Sequence, residues 1–180
     1  RCLVGSEMCI RDSADHTSTS IYVRFKFDDE GVNKIKQLVN IPNDNVYAVI
    51  WTTTPWTIPS NMAISMHPRY EYTFFTYNND VYVIAEGLLA SFLEGVSWEE
   101  KDINVIGTVK GADLELLNTK HPLYERKSPI ILGEHVTLDA GTGSVHTAPG
   151  HGLEDYEVGC KYGIEVFSPL DSKGVWTEAV

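Results

Sequence analysis

Positive charge is scarce in this chain. It carries 14 Lys and Arg residues against 25 Asp and Glu, a formal net charge of −11. A protein that coats duplex DNA or RNA presents a basic face to the phosphates. Broad nucleic-acid binding, to DNA above all, is therefore excluded; a single nucleic-acid end entering a pocket is compatible with this charge if the rest is gripped elsewhere. Cysteine is scarce too: Cys2, Cys9 and Cys160 include no CxxC pair, so neither a zinc ribbon nor a dithiol redox motif is supported. Sparse, odd-numbered cysteine suits a reducing compartment, and a cytoplasmic location is expected. No apolar run approaches the roughly 18–20 residues that a membrane helix needs, so no membrane partner is expected. A GxSxG nucleophile elbow, internal repeats and low-complexity segments are also missing.

What is present is a globular composition, 43% hydrophobic and 22% charged over 180 residues, enough for one domain with a core. The first thirteen residues, RCLVGSEMCIRDS, show neither helical nor strand period, and lack the apolar h-region of a signal peptide. They are read as a tail, residues 1–13, foreign to the fold and expected to be disordered. Setting them aside leaves the net charge unchanged, because Arg1 and Arg11 offset Glu7 and Asp12.

Strand patterns dominate the remainder. SIYVRFKF (20–27) alternates apolar and polar residues, the period of a half-buried strand. DDEG reads as a break, followed by a short helix around 31–39. VYAVIWTT (46–53) is a β-branched, aromatic strand running into TPWTIPSN. YEYTFFTY (70–77) and VYVIA (81–85) flank NND and read as a hairpin. Helical spacing covers 86–96, a strand covers 103–109, and Gly111 makes a turn. Short strands and turns fill 129–147, a helix runs from Leu153 to Tyr162 and stops at Gly163, and IEVFSP (164–169) opens a last strand before a turn in LDSKGV. Many short strands with a few short helices predict an α+β domain of β-barrel-like form.

Two stretches carry candidate chemistry. WTTTPWTIPSN (51–61) places Thr52, Thr53 and Thr54 at a strand end, ahead of a backbone stiffened by Pro55 and Pro59. Threonine is favoured in strands for its own sake, but the accompanying tryptophans, prolines and Asn61 exceed that need. GSVHTAPGHGLEDY (143–156) holds His146, His151 and Asp155 at spacings of five and four. That is a plausible carboxylate–histidine metal set, to which His135 could add. It is equally a turn and helix start beside a satisfied buried histidine. A third reading takes the glycines as room for close backbone approach to a ligand. Asp155 then sits in the first helical turn, kept ionised by the positive helix end, and suits a cationic group such as an α-ammonium, with His146 as the pocket wall.

These two motifs, with TSTSIYVRF before them and IGTVKGADLELL between, resemble the editing domain of bacterial isoleucyl-tRNA synthetases. The resemblance runs from about residue 15 to 180. The Thr-rich strand continues as TTTPWT rather than into the Arg-Pro of the valyl and leucyl relatives, and TLDAGTGSVHTAPGHGLEDYEVGCKYG follows. It implies residues 14–180 as an aminoacyl-tRNA editing domain, cut short at its C-terminal end. It implies hydrolysis of valine misattached to the 3′ end of isoleucine tRNA, and of valyl-adenylate, with the rest of the synthetase acting in cis. Carried over by motif position, Asp155 holds the substrate ammonium, and Thr52, Thr53 and Thr54 line the pocket and place the attacking water. Thr57 and Asn61 support the pocket, and His146 excludes the isoleucine side chain. Trp51, Trp56 and His151 are framework. The resemblance implies no metal and no cofactor for editing; ATP and Mg belong to an aminoacylation core whose HIGH-type and KMSKS-type signatures are not in this chain. Two other readings stand beside it: a metal-dependent hydrolase using His146, His151 and Asp155, and a non-catalytic barrel that only binds a tRNA end.

Overall fold

The computed structural model describes residues 19–171 and 174–177; the tail at 1–13 and part of the LDSKGV turn lie outside them. Nine strands form two sheets. The first holds β1 (Ile21–Lys26), β2 (Val46–Thr52), β4 (Glu71–Tyr77), β5 (Asp80–Ala85) and β6 (Asn104–Lys110), in the order β1-β2-β5-β4-β6. The second holds β3 (Ala63–Met66), β7 (Asn118–Lys120), β8 (Lys127–Leu132) and β9 (Ser144–Thr147), in the order β7-β8-β3-β9. Among the described residues there are also three short α-helices: α1 (Asp29–Leu38), α2 (Leu89–Gly95) and α3 (Leu153–Lys161). The α+β class is as the sequence implies. The barrel-like expectation needs correcting in one respect. The two sheets remain separate, because β1 and β7 approach at a single bridge, Phe27 with Thr119, and do not form a ladder.

The first sheet is built from the β-branched and aromatic runs. Phe25, Phe74, Phe75, Ile50 and Val83 are wholly buried in one cluster, with Ile35 of α1 and Phe92 of α2 packed into it. Each such side chain contributes roughly 1.5–3 kcal/mol on burial. DDEG ends β1 as expected, and it also starts α1, two residues ahead of the helix read at 31–39. Asp28 caps α1 by accepting the Gly31 N–H at 2.8 Å, and Asp29 and Glu30 occupy the first turn, where acids are favoured. Burial alone would raise the Asp28 pKa; the ion pair with Lys127 at 2.8 Å and the Gly31 N–H overcome it and hold the carboxyl below its ordinary value.

The second sheet positions the site. Its central strand β3 has all four residues buried, pairs parallel with β8 and antiparallel with β9, and sets Ile64 opposite His146. The two sheets are tied together where β9 begins. Ala85 N–H donates to Thr142 O at 2.9 Å. The buried Tyr72 hydroxyl on β4 accepts the His67 N–H and donates to Gly143 O at 2.5 Å. Gly143 has φ +72, and a Cβ there would lie 2.3 Å from Ala85 Cβ. Gly143→Ala is therefore expected to cost about 2–5 kcal/mol from left-handed backbone and overpacking. That is a fall in Tm of about 5–15 °C by thermal melting; an unchanged Tm would show that this junction is not tightly packed.

The expected strand at 164–169 is not formed. The segment is irregular up to an isolated bridge between Leu170 and Trp176. Pro169 removes a ladder donor, and Glu165 and Val166 face solvent. The segment instead lies against Gly150, whose missing Cβ would sit 2.4 Å from Phe167 O. Gly150 thus makes room for the chain's own backbone, and the reading of it as an opening for a ligand is corrected.

Candidate active site

Three elements converge on one cavity of about 230 Å³. It is lined by Trp51, Thr52, Thr54 and Thr57 from the end of β2 and the turn after it, by Val145 and His146 from β9, by Ala148 and His151 from the turn that follows, and by Asp155 in the first turn of α3. Strand β2 ends at Thr52, and the Thr52 side chain catches the following turn by accepting the Thr54 N–H at 3.0 Å. Pro55 then opens a 3-10 helix over Pro55–Ser60, which carries Thr57 round to face His146.

The hydroxyls and the histidine form one chain of contacts. Thr52 Oγ1 is 3.2 Å from Thr54 Oγ1, which is 3.4 Å from Thr57 Oγ1. Thr57 Oγ1 lies 3.0 Å from His146 Nε2 and donates to Thr54 O at 2.8 Å. On the other side of the ring, Asn61 Nδ2 is 2.8 Å from His146 Nδ1 and donates to Ala63 O at 2.8 Å. An amide nitrogen only donates, so Nδ1 holds a lone pair and Nε2 carries the proton given to Thr57. The Thr57 proton is in turn committed to Thr54 O. The hydroxyls left with hydrogen-bonding capacity toward the cavity are those of Thr52 and Thr54.

The ring is neutral for a further reason. His146 is 8% exposed, and burial, with His121 and His151 nearby, pushes its pKa down to about 4. His121, 5% exposed and bonded to Ile58 O at 2.9 Å, is likewise pushed down by burial to about 4. An unfolded histidine takes up its proton near pH 6.5. Between about pH 6.5 and 4 the unfolded chain therefore binds protons that the fold refuses, and stability falls as pH is lowered through that window. The loss is up to ~3 kcal/mol for each histidine. Denaturant unfolding at pH 7 and pH 4.5 checks this, and the loss should shrink in His121→Gln.

Asp155 lies behind the first turn of α3, with Oδ2 accepting the Ala148 N–H at 2.9 Å. Burial raises its pKa, and the Ala148 N–H, His135 and His151 work against that rise. The carboxylate is half-buried and forms no ion pair among the described residues, a state that favours binding a cation. Gly152 is shaped around it, since a Cβ there would lie 3.0 Å from Asp155 Oδ2.

Of the residues singled out by sequence, Thr52, Thr54, Thr57, His146 and Asp155 share this cavity. Thr53 does not line it and is exposed; it sits in the turn after β2 that the Thr54 N–H closes onto Thr52 Oγ1. Asn61 is wholly buried behind His146 and also does not line it. Trp51 and His151, taken as framework, do. The metal reading is poorly served: both His146 nitrogens are engaged, His151 Nε2 is 2.8 Å from Ser60 Oγ, and no three His, Cys, Asp or Glu side chains are grouped to hold a metal among the described residues. A second cavity of about 320 Å³ shares Trp51 and Val145 with the first. A larger one, about 610 Å³ between α2 and β6, has carboxylates on its rim but neither a histidine nor a threonine. Among the described residues no helix is long and apolar enough to cross a membrane.

Comparison with known proteins places these features. No protein-family model matches the chain. It is 49% identical over 166 residues to the isoleucine–tRNA ligase of Desulfovibrio desulfuricans, covering 92% of this chain. It is 48% identical over 167 residues to that of Lawsonia intracellularis, covering 93%. The chain spans about 17% of the length of each of these relatives. Among solved structures, the editing domain of the P. knowlesi cytosolic leucyl-tRNA synthetase shares the fold, with a TM-score of 0.65 and 17% identity over 83% of this chain and 65% of that one.

Proposed function

We propose, starting from a chain that is an editing-domain segment of the bacterial isoleucine–tRNA ligase family, that the cavity hydrolyses the ester between valine and the 3′ end of isoleucine tRNA. The need for such a site is well known for this very family of synthetases: one methylene in an apolar pocket is worth only ~1–3 kcal/mol, so synthesis alone passes valine, and a second, smaller site removes it. The observation that carries the reading is the meeting of one half-buried carboxylate, Asp155, with the Thr52 and Thr54 hydroxyls in a cavity of about 230 Å³.

In this reading Asp155 takes the α-ammonium of the valyl group and anchors the ester. The Thr52 and Thr54 hydroxyls, which have bonding capacity to spare, hold the attacking water beside the ester carbon. An ester needs no strong nucleophile once a water is fixed in place. The water adds to the carbonyl carbon, the bond to the ribose oxygen breaks, and that oxygen leaves with a proton as the ribose hydroxyl. Thr57, its proton committed, supports the wall. The neighbouring cavity across Trp51 and Val145 gives the terminal adenosine a place. With a net charge of −11, the domain takes only the single-stranded tRNA end and leaves the main grip to the rest of the synthetase, in the cytoplasm. No metal or other cofactor enters the editing step, and valyl-adenylate is a second substrate.

The test is deacylation of purified valyl- and isoleucyl-tRNA by the full-length synthetase. Valyl-tRNA should be cleaved and isoleucyl-tRNA spared, with a chelator making no difference. Binding of both without cleavage would favour the non-catalytic barrel, and loss of activity with chelator would favour the metal reading.

A further inference from the structure

The buried end of the site begins on β8. Ser128 is fully buried, and its Oγ donates to Asn61 Oδ1 at 2.6 Å. Asn61, also fully buried, spends its two N–H groups on Ala63 O and His146 Nδ1, each at 2.8 Å. A backbone carbonyl only accepts, so Ala63 decides which end of the amide is nitrogen. Ser128 grips the other end and keeps the amide plane where its second N–H meets the ring. The ring nitrogen that receives an N–H must hold a lone pair, and the opposite nitrogen must then carry the proton that reaches Thr57. Four side chains from three segments, β8, the 3-10 helix with the residue that ends it, and β9, thus agree on one proton arrangement.

We propose that Ser128 is a positioning residue, which acts through Asn61 to lock His146 in its Nε2–H tautomer and in the ring orientation that limits the size of the cavity. Without the Ser128 hydroxyl, Asn61 Oδ1 is left with no partner in a dry surrounding, and a buried amide in that position turns to recover one. Its N–H then leaves His146 Nδ1, and the ring is free to hold its proton on Nδ1 or to rotate. The lock itself is a statement about hydrogen bonds; its effect on selectivity rests on the editing reading above.

The two parts are tested separately. In the chain labelled with 15N-histidine, long-range proton–nitrogen correlations at neutral pH report which ring nitrogen of His146 is protonated, with no need for activity. The unmodified chain should show the Nε2–H form alone. Ser128→Ala should give a mixture with the Nδ1–H form; Ser128→Cys, of similar bulk and a weak donor, should fall between and serves if the alanine variant folds poorly. Asn61→Asp, which offers the ring only acceptors, should force the Nδ1–H form. A His146 signal that stays wholly Nε2–H in the Ser128 variants overturns the lock. In the full-length synthetase, Ser128→Ala should raise the ratio of isoleucyl- to valyl-tRNA hydrolysis about five- to tenfold. A shifted tautomer with an unchanged ratio would keep the lock and reject its role in selectivity.

Discussion

Asp155→Ala is expected to lower valyl-tRNA hydrolysis in the full-length synthetase by about 100-fold or more. A charge-assisted contact to a carboxylate is worth about 1.5–3 kcal/mol, and each 1.36 kcal/mol is a factor of about ten; losing the anchor also loses the register that brings the ester to its water. Asp155→Asn is the sharper variant. Its amide oxygen can still accept the Ala148 N–H that now reaches Oδ2 at 2.9 Å, so the fold around α3 is kept while the charge is removed. Similar losses in both variants identify charge as what the substrate needs. Full activity in Asp155→Asn would show that the carboxylate only ties α3 to β9 and that the ammonium is held elsewhere. The raised pKa of Asp155 has a companion effect: acidification neutralises this group earlier than an exposed carboxylate. Valyl-tRNA hydrolysis should therefore begin to fail at a pH above the ordinary aspartate range.

His146→Ala is expected to open the site to the cognate ester. The ring is 8% exposed and walls the cavity opposite Asp155, and its removal leaves more than the one extra methylene that isoleucine requires. The isoleucyl-to-valyl hydrolysis ratio should rise by about 10- to 100-fold, the range that a methylene commands in an apolar pocket. Deacylation rates of the two purified tRNAs measure it directly. An isoleucyl-tRNA that stays untouched would remove His146 as the gate and leave Trp51 or Val145, which share the lining, as the groups that set the limit.

Much of this was legible in the residues. Alternation in SIYVRFKF and the NND turn gave β1 and the β4–β5 hairpin, and the register of that hairpin, Tyr77 against Asp80, is the tight one expected. What escaped was structure that depends on distant partners. AISM, four buried residues with no alternation, offers no period to read, yet it is the strand that joins β8 to β9 and so places His146. DDEG was legible as the end of β1, but not as the start of α1, because capping and breaking use the same residue types; the Gly31 N–H on Asp28 shows that it does both. IEVFSP has the composition of a strand but no neighbour to pair with.

The site divides in the same way. The residue types and their grouping in two motifs were visible, and five of the singled-out side chains do meet. Which member of TTT faces the cavity was not, since β2 ends at Thr52 and the turn that Thr52 Oγ1 holds through the Thr54 N–H decides it. Nor was the depth of Asn61, which the sequence marks as a supporting pocket residue but which Ser128 and Ala63 hold behind His146. Ser128 lies 67 residues from Asn61 in sequence, and nothing local in KSPIIL marks it.

The most direct measurement is a structure of the chain with a non-hydrolysable 3′-valylamino-adenosine. The valyl ammonium is expected within hydrogen-bond reach of Asp155, with the carbonyl carbon beside the Thr52 and Thr54 hydroxyls and the valine methyl groups against His146. An analogue seated with its ammonium away from Asp155, or lodged outside the cavity between β2, β9 and α3, would contradict it.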